Sequence, residues 1–412
     1  MKIVHIATSL EEGAGLCTSR IMNATRALGV DARAIVAHGK KSEYVDVVKP
    51  VNPYSSYRLI RYIQVFLNLK RLWPKTEKIA RKIAVERQKN QKLGLFSSPA
   101  TLYTNIVDHP WIREADIVHL HWIAFFVDYE SFFQSVRKPI VWTIHDQNPG
   151  FGGFHYQMWF DCATDSFKCL DDELALLKSR AYKNVESMTL VAISSFMQEF
   201  FRKNTLLCGF PSVLIHNGIE EKRFVPIPKE CAREALGLSM NSKVFLFVAS
   251  NIHIVIKGLN VLIDALEKLD IPDSILLCLG RYDEVPHASF EIRCEGFVGN
   301  NRLQSLYYSA ADYLVMPSFQ EAFAQTPMEA MACGTPVVAF PCSGSRDLIN
   351  QCNGIVCEDF TVDALVNGIM LAMDRNYDGG KIREDVINRF SYQKIARQYL
   401  GLYEKILNVT HE

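Results

Sequence analysis

The sequence predicts an α/β protein in which two doubly wound, mainly parallel sheets form two separate domains. Short runs rich in Val, Ile and Leu recur along the 412 residues without alternating with polar residues. Strands that are buried on both faces of a parallel sheet have this pattern. Segments with helical periodicity separate the runs, and the chain is longer than one ordinary domain of roughly 150 residues. We therefore expect two Rossmann-like domains.

The predicted elements follow one another as strand, helix and strand almost throughout. One helix is expected over 18–28, where Gly29 ends it, and another over 259–269. A last helix is expected over 391–407, where the apolar residues fall on one side. The predicted strands are 2–8, 32–38, 116–122, 139–145 and 190–194 in the first half, and 243–250, 274–280, 312–318 and 335–340 in the second.

The alternation pauses between residues 204 and 241. This stretch contains CGFPSVLIHNGIEEKRFVPIPKE, whose three prolines and several turn residues are typical of a connector. We therefore expect a first domain over 1–207, a second domain over 208–390 and a terminal helical segment over 391–412.

The bulk composition excludes several classes of protein. Lys and Arg (45) balance Asp and Glu (45), so no whole-surface charge attracts nucleic acid. The apolar run 3–7 is too short for a secretory signal and is soon followed by Glu11 and Glu12. No run reaches the roughly 20 apolar residues of a membrane span. The 11 cysteines are odd in number and several lie in apolar runs, which favours reduced thiols in a cytoplasmic protein.

One basic segment, 54–92, stands apart from this balanced charge. Lysines and arginines are interleaved there with apolar residues, against only Glu77 and Glu86. Such a segment can lie on an anionic membrane surface. Equally, its apolar stripe can pack on its own domain while its charges stay solvated. Both interpretations remain open from the sequence.

The glutamates Glu321 and Glu329 in EAFAQTPMEAMACGTPVVAF are the strongest candidates for ligand binding. Glu321 follows the predicted strand 312–318, at the edge of an open α/β sheet where ligands bind. Thr326 to Glu329 matches a capping box with proline at the first helical position, so capping alone accounts for Glu329. A helix N-terminus favours phosphate, whereas a carboxylate suits hydroxyl groups. The combination predicts a polyhydroxylated phosphate ligand.

The chain resembles the retaining family-4 glycosyltransferases of the GT-B fold. EAFAQTPMEAMACGTPVVAFPCSGSRDLI fits the Glu-x7-Glu signature of that family and its following strand and glycine turn. The resemblance implies that 1–207 is the acceptor-side domain, that 208–390 binds the nucleotide-sugar donor across a cleft, and that 391–412 crosses back to the first domain. Weaker matches follow in family order: HNGIEEKRF (216–224), IKGLNVLIDAL (256–266), NGIV (353–356) and SYQKIARQYLGLYEKIL (391–407).

The resemblance also assigns roles in the donor domain. It implies that Glu321 contacts hydroxyls of the donor sugar, that Glu329 contacts the ribose, and that Lys257 binds the diphosphate and stabilises its charge as it leaves. The arginine that the family often carries five residues before this lysine is replaced by Ile252. The remaining donor-binding candidates are Ala322, Phe323 and Ala324 beside Glu321, with Asn251 near Lys257 and Arg281 as a replacement for the missing charge.

The first domain offers a glycine loop and a histidine. Gly13 and Gly15 in SLEEGAGLCTSR let the backbone approach a ligand, although the loop lacks the third glycine of a dinucleotide fingerprint. By resemblance, His145 in PIVWTIHDQNPGFGGFHY would contact the transferred sugar; a structural role is the alternative. His119, His121 and Trp122 are expected at most to line a pocket.

No metal or cofactor is expected. His155, Cys162 and Cys169 lack both zinc-knuckle spacing and a fourth ligand. The resemblance implies a retaining, metal-independent glycosyltransferase whose partners are a nucleotide sugar and a saccharide or lipid-linked oligosaccharide acceptor of surface-polysaccharide assembly. The missing arginine leaves a catalytically silent nucleotide-sugar-binding subunit as an alternative. A GT-B nucleotide-sugar epimerase is a second alternative, which the Glu-x7-Glu spacing disfavours.

Overall fold

The computed structural model describes residues 1–11, 13–51 and 74–409. They form two compact units. The first contains 1–193 and 197–215 together with the helix from Ala396 onward, and the second contains 194–196 and 216–395. The division between the units falls eight residues after the predicted boundary of 207/208, because strand β7 (Ser212–Leu214) still pairs with β6 (Met188–Ala192).

The first unit is built on a parallel sheet of seven strands in the order β3-β2-β1-β4-β5-β6-β7. Its other strands are β1 (Lys2–Ala7), β2 (Asp31–Val36), β3 (Val45–Val47), β4 (Ile117–Leu120) and β5 (Ile140–Ile144). The helices that precede β7 are α1 (Ala14–Arg26), α2 (Lys75–Lys89), α3 (Pro110–Glu114), α4 (Tyr129–Ser135), α5 (Gln157–Cys162), α6 (Asp165–Tyr182) and α7 (Ser195–Lys203).

The second unit is built on a parallel sheet of six strands in the order β10-β9-β8-β11-β12-β13. Its strands are β8 (Lys243–Asn251), β9 (Ser274–Arg281), β10 (Glu291–Cys294), β11 (Tyr313–Met316), β12 (Val337–Ala339) and β13 (Gly354–Val356). Its helices are α8 (Lys229–Ala235), α9 (Leu259–Leu269), α10 (Asn301–Ala310), α11 (Gln325–Ala332), α12 (Ser345–Leu348), α13 (Val362–Met373) and α14 (Gly379–Phe390). The last helix, α15 (Tyr392–Val409), belongs to the first unit from Ala396 onward.

The central strands lie where the continuous apolar runs predict them. In β5 all five residues are buried, and in β9 every residue except Arg281 is buried. Helices from both sides cover such strands, so both faces of each strand are apolar. The four strands β3, β7, β10 and β13, three or four residues long, are absent from the predicted elements.

The C-terminal helix α15 places two buried tyrosines against the first sheet. The hydroxyl of Tyr403 lies 2.7 Å from Nδ1 of His119, and that of Tyr399 lies 2.9 Å from Oγ1 of Thr143. Both rings are almost completely buried. The second half of α15 therefore contributes side chains to the core of the first unit.

Only part of the basic segment 54–92 lies among the described residues, since 54–73 falls outside them. In the described part, Ile79 of α2 packs with Phe167 and Leu174 in an aromatic core cluster. Lys82 pairs with Glu173 of α6 at 2.6 Å. The apolar side of α2 is thus covered by its own unit. No helix of the described residues is long and apolar enough to cross a membrane.

Candidate functional site

The strand order of the second sheet reverses between β8 and β11. In an open α/β sheet, ligands bind outside the carboxyl ends of the strands at such a switch point. The loops that leave β8 (252–258) and β11 (317–324) bracket this position. These loops carry Lys257 and Glu321, so the topology brings together the two residues that the sequence singles out.

Direct backbone contacts join these two loops. The backbone N–H of Phe319 donates a 2.9 Å hydrogen bond to the carbonyl oxygen of Ile256. Gly258 has a φ of +77°, and a Cβ at this position would lie 2.1 Å from the carbonyl oxygen of Pro317. Only glycine combines this backbone conformation with so close an approach. Gly258 therefore holds the two sides of the switch point together.

Lys257 and Glu321 form an ion pair across the switch point. The Lys257 ammonium group donates a hydrogen bond to Oε1 of Glu321. Their side chains are 25% and 16% exposed, so both groups remain open to solvent. The pairing compensates the carboxylate charge that would otherwise repel a phosphate at this edge.

The residues after Glu321 anchor the loop by packing into the interior of the second unit. Ala322 and Phe323 are buried, and the Phe323 ring stacks on His216 with centroids 5.1 Å apart. Gly344 lies directly against this ring, because a Cβ there would be 2.6 Å from Cδ2 of Phe323. Ala322 and Phe323 thus fix the loop that carries Glu321 to the interior of the unit.

The predicted capping box at Thr326 is wrong. Helix α11 begins at Gln325, its N-cap is Ala324 with an extended backbone, and no side chain caps it. The buried and stacked Phe323 anchors the chain just before the helix, so the helix starts earlier than the Thr-Pro signal indicates. Glu329 is consequently an interior helical residue, and capping does not account for it.

Glu329 instead forms a buried polar contact. Its side chain is only 8% exposed, and its Oε2 accepts a 2.9 Å hydrogen bond from the hydroxyl of Tyr308 on α10. Burial, followed by the neighbouring carboxylate, raises the pKa of Tyr308 well above its usual value, so the phenol keeps its proton. Tyr308 is a residue that the sequence did not single out.

Asn251 and Arg281 lie side by side at the same sheet edge, as register partners of β8 and β9. Oδ1 of Asn251 accepts a 2.8 Å hydrogen bond from the backbone N–H of His253. The exposed guanidinium of Arg281 lies 5.2 Å from the centre of the Phe297 ring. Asn251 thus shapes the loop, and phosphate binding by Arg281 stays a prediction.

The first sheet has its own switch point, between β1 and β4. Oγ1 of Thr8 donates hydrogen bonds to the carbonyl oxygens of Trp122 (3.1 Å) and Ala124 (2.7 Å), which joins the loops after these strands. Gly13 has a φ of +49° at the start of α1, and a Cβ on Gly15 would lie 2.2 Å from the carbonyl oxygen of Ser9. The conformation of the loop therefore requires glycine at both positions, because of the positive φ at Gly13 and the close backbone contact at Gly15.

Histidines from three neighbouring strands meet beside this switch point. Nδ1 of His5 lies 2.9 Å from Nε2 of His121, and Nδ1 of His121 lies 3.3 Å from Nε2 of His145. His119 contacts the hydroxyls of Tyr403 (2.7 Å) and Thr143 (2.8 Å) through its two ring nitrogens. The sequence did not single out His5, although its register partner is His119.

The cluster contains nitrogen atoms of His5, His119 and His121 within 4.8 Å of one another, as in a metal site. However, both nitrogens of His119 and both of His121 already have hydrogen-bonding partners. The arrangement is therefore a hydrogen-bonded network, in which the imidazoles form hydrogen bonds with one another and with the nearby hydroxyl groups.

Burial keeps the cluster neutral at physiological pH. It lowers the pKa of His5 to about 3 and that of His145 to about 4, although the Asp146 carboxylate partly opposes the effect at His145. Burial also lowers the pKa of His119 and His121 well below the usual value. Neutral imidazoles carry one donor and one acceptor each.

Asp146 organises the strand end beside His145. Its Oδ2 accepts hydrogen bonds from Nε1 of Trp122 and Nδ1 of His155, each at 2.7 Å. His155 is thereby held by a carboxylate, while Cys162 and Cys169 are exposed. Trp122 is a structural partner of Asp146.

The glycine-rich loop after β5 closes on a carboxylate of its own unit. The oxygens of Asp171 accept hydrogen bonds from three successive backbone N–H groups, those of Gly152 (2.9 Å), Gly153 (2.6 Å) and Phe154 (3.0 Å). Asp171 is 2% exposed. Nζ of Lys178, which is also buried, donates a hydrogen bond to the carbonyl oxygen of Asn148 at 2.7 Å.

Comparisons with known proteins point to one enzyme class. Residues 242–374 match the model of the family described as glycosyl transferases group 1. An uncharacterized glycosyltransferase of Methanocaldococcus jannaschii is 26% identical over 313 residues, which cover 71% of this chain and 76% of the relative. The lipopolysaccharide core biosynthesis mannosyltransferase LpsB of Rhizobium meliloti is 28% identical over 219 residues, or 48% of this chain and 62% of the relative.

The same comparisons extend to solved structures. Anabaena HepE in complex with UDP and glucose has a TM-score of 0.65 and 17% identity, covering 98% of this chain and 99% of HepE. At this identity the likeness concerns the fold alone.

Proposed function

We propose that this chain, which belongs to the group 1 glycosyl transferases and has the GT-B fold, transfers a sugar with retention of configuration from a nucleotide sugar to a saccharide or lipid-linked saccharide. The family match and the shared fold confirm the predicted enzyme class and architecture. The rhizobial relative is named for lipopolysaccharide core biosynthesis, which agrees with the predicted role in surface-polysaccharide assembly.

The Lys257–Glu321 pair at the switch point of the second sheet is the observation that carries the proposal. It supplies a cation for a diphosphate and a carboxylate for sugar hydroxyls in one place. HepE is described with bound UDP and glucose, which supports a nucleotide-sugar donor for this chain as well. In our proposal the donor separates the pair, so that Lys257 turns to the diphosphate and Glu321 to the sugar.

The proposed transfer exchanges one bond at the anomeric carbon for another. The bond from this carbon to the diphosphate oxygen breaks, and a bond to the acceptor hydroxyl oxygen forms on the same face of the sugar. The acceptor proton passes to an oxygen of the leaving diphosphate. Lys257 stabilises the charge that develops on the diphosphate, and we propose that it does so without a metal ion.

Two finer parts of the proposal concern the first unit. His145 contacts the transferred sugar, and the basic segment 54–92 contacts anionic lipid head groups at the cytoplasmic face of a membrane. Because α2 packs on α6, this contact would use the exposed basic side chains of α2 and not Ile79. Sedimentation with vesicles of mixed anionic and zwitterionic lipid, at low and high salt, tests the second part.

A thermal-shift screen with UDP-, GDP-, ADP- and CMP-sugars tests the donor site. A ligand at a hundred times its Kd adds about 2.7 kcal/mol to the free energy of unfolding, which is readily measured. The same screen on Glu321→Gln should lose discrimination between the nucleotide sugar and the free nucleotide. If no nucleotide stabilises the wild-type protein, the proposal is overturned.

Product analysis separates the remaining outcomes. Transfer to a saccharide that persists in EDTA, with NMR showing retained anomeric configuration, supports the full proposal. Donor binding without transfer over a panel of acceptors indicates the silent subunit. Conversion of the donor into its epimer indicates the epimerase.

A further inference from the structure

A line of three imidazoles runs from the core of the first unit to its ligand edge. It consists of His5 on β1, His121 directly after β4 and His145 directly after β5, and we refer to it as the histidine line. Its two contacts measure 2.9 Å and 3.3 Å. His5 and His121 are buried, whereas His145 is half-buried. The line therefore connects an interior group to one that a ligand can reach.

The protons of the histidine line can be arranged in two ways. Each neutral imidazole donates through one nitrogen and accepts through the other. In the first arrangement, Nδ1–H of His5 donates to His121, and Nδ1–H of His121 donates to Nε2 of His145. In the second arrangement every donor is reversed, and Nε2 of His145 carries the proton.

The innermost nitrogen distinguishes the two arrangements. Nε2 of His5 is buried and has no hydrogen-bonding partner within the described part of the chain. The second arrangement would place an N–H at this nitrogen, with no acceptor. The first leaves only a lone pair there. Among buried backbone groups an orphaned N–H is rarer than an under-satisfied acceptor, and we apply the same preference to this imidazole. The first arrangement is therefore favoured.

The outer end of the line is then determined. Nε2 of His145 accepts from His121, so its single proton resides on Nδ1. Nδ1 of His145 makes no hydrogen bond to any residue in the ranges that the structure describes. We propose that His5 and His121 are positioning residues that hold His145 as the Nδ1–H tautomer, so that it meets its ligand as a hydrogen-bond donor.

This inference rests on the proposed function for the identity of the ligand atom. If His145 contacts the transferred sugar, the atom it contacts is a hydroxyl oxygen that accepts a hydrogen bond. A neutral donor of this kind orients the sugar and supplies no proton to the reaction. His145 is then a specificity determinant for one sugar hydroxyl.

Long-range 1H–15N NMR of the unliganded, 15N-histidine-labelled protein tests the tautomer directly. His145 should show a protonated Nδ1 and an unprotonated Nε2, and His145→Gln identifies its signals among the 11 histidines. A proton on Nε2 of His145 in the wild-type protein would overturn the proposal. This measurement depends on neither activity nor the folding of a position-121 variant.

A matched pair of substitutions tests the role of His121. In His121→Asn the amide nitrogen can take the place of Nδ1 and still donate to His145, whereas His121→Leu removes the donor. We expect the Nδ1–H tautomer of His145 to persist in H121N and to be lost in H121L. If both variants retain it, His121 does not set the tautomer and the proposal fails.

The corresponding pair at His145 tests the ligand contact separately. His145→Asn keeps a donor near the Nδ1 position, and His145→Gln moves it towards the Nε2 position. We expect kcat/KM to be about tenfold higher in H145N than in H145Q, the size of one hydrogen bond. Equal values, with the predicted tautomer present in the wild-type protein, would leave the histidine line intact and refute only the sugar contact.

Discussion

Lys257 donates a hydrogen bond to Glu321 across the point where the strand order of the second sheet reverses. The two residues are 64 positions apart and come from loops that follow different strands. In the structure each charge is balanced by the other. A donor that carries both a diphosphate and hydroxyl groups can replace both halves of this pair at once.

Neutralising either member of the pair should remove activity without unfolding the protein. We expect Lys257→Met to lower kcat by about 100- to 1000-fold, because the leaving diphosphate loses its cation. The melting temperature should hardly change, since a partly exposed ion pair contributes about 0–1 kcal/mol. Lys268→Met is the matched control, because Lys268 pairs with the exposed Asp363 at 2.5 Å on another part of the unit. Equal activity in the two variants would exclude a role for Lys257.

Gly258→Ala should separate the two loops that form the proposed donor site. The new Cβ would meet the carbonyl oxygen of Pro317 at 2.1 Å, in addition to the strain of a positive φ. Overpacking of this kind costs about 1–3 kcal/mol. Gly237→Ala is the matched control, because Gly237 has a φ of +62° with no atom within 4 Å of the added Cβ. Urea unfolding and nucleotide affinity should both be more impaired in G258A.

Tyr308→Phe should destabilise the protein, because it leaves the buried Glu329 carboxylate with one hydrogen bond fewer. The variant removes the hydroxyl that donates to Oε2 of Glu329, so the charge loses a partner in the interior. We expect a loss of about 1–3 kcal/mol in the free energy of unfolding. In Tyr307→Phe the lost partner, Glu295 at 3.1 Å, is more exposed, and the loss should be smaller. A larger loss of unfolding free energy in Y307F than in Y308F would contradict a buried, hydrogen-bonded role for Glu329.

The buried histidines should make the first unit sensitive to acid. The folded protein holds the pKa of His5 near 3, whereas the unfolded chain binds a proton near pH 6.5. Below pH 6.5 the unfolded state therefore binds more protons, and stability falls as the pH approaches 3. Each such group contributes up to about 1.4 kcal/mol per pH unit in this range, and the contribution is fully retained above it.

Urea unfolding midpoints between pH 7.5 and pH 4.5 measure this effect. His5→Asn should reduce the slope of stability against pH. The control is His287→Asn, since the side chain of His287 is exposed. An unaltered slope in H5N would show that His5 is not the buried neutral base described here.

The central strands and the Lys257–Glu321 region could be predicted because local pattern and chain order suffice for them. Continuous apolar runs identify strands covered on both faces, and ligand residues follow the carboxyl ends of such strands. The short strands β3 and β13 could not be predicted, because three residues contain too little periodicity.

The start of helix α11 and the histidine line could not be predicted, because both depend on contacts between residues far apart in the sequence. Helix α11 starts directly after the segment that Phe323 anchors by stacking on His216, a residue more than 100 positions away in the sequence. The histidine line depends on the strand order β1-β4-β5, which no local motif encodes. The local signal was the pair of histidines at 119, in β4, and 121, directly after β4, in HLHW.

The contact of Asp171 with the loop after β5 bears on how glycine-rich loops are interpreted. Three successive amides point at one carboxylate, as they would at a bound phosphate. The carboxylate of Asp171 thus occupies the position that a bound phosphate would take. A phosphate could bind there only by displacing this side chain of helix α6. The glycines of this loop therefore bind a carboxylate of the protein itself, and in our proposal the substrate phosphate binds in the second unit, where the Lys257 ammonium group is partly exposed.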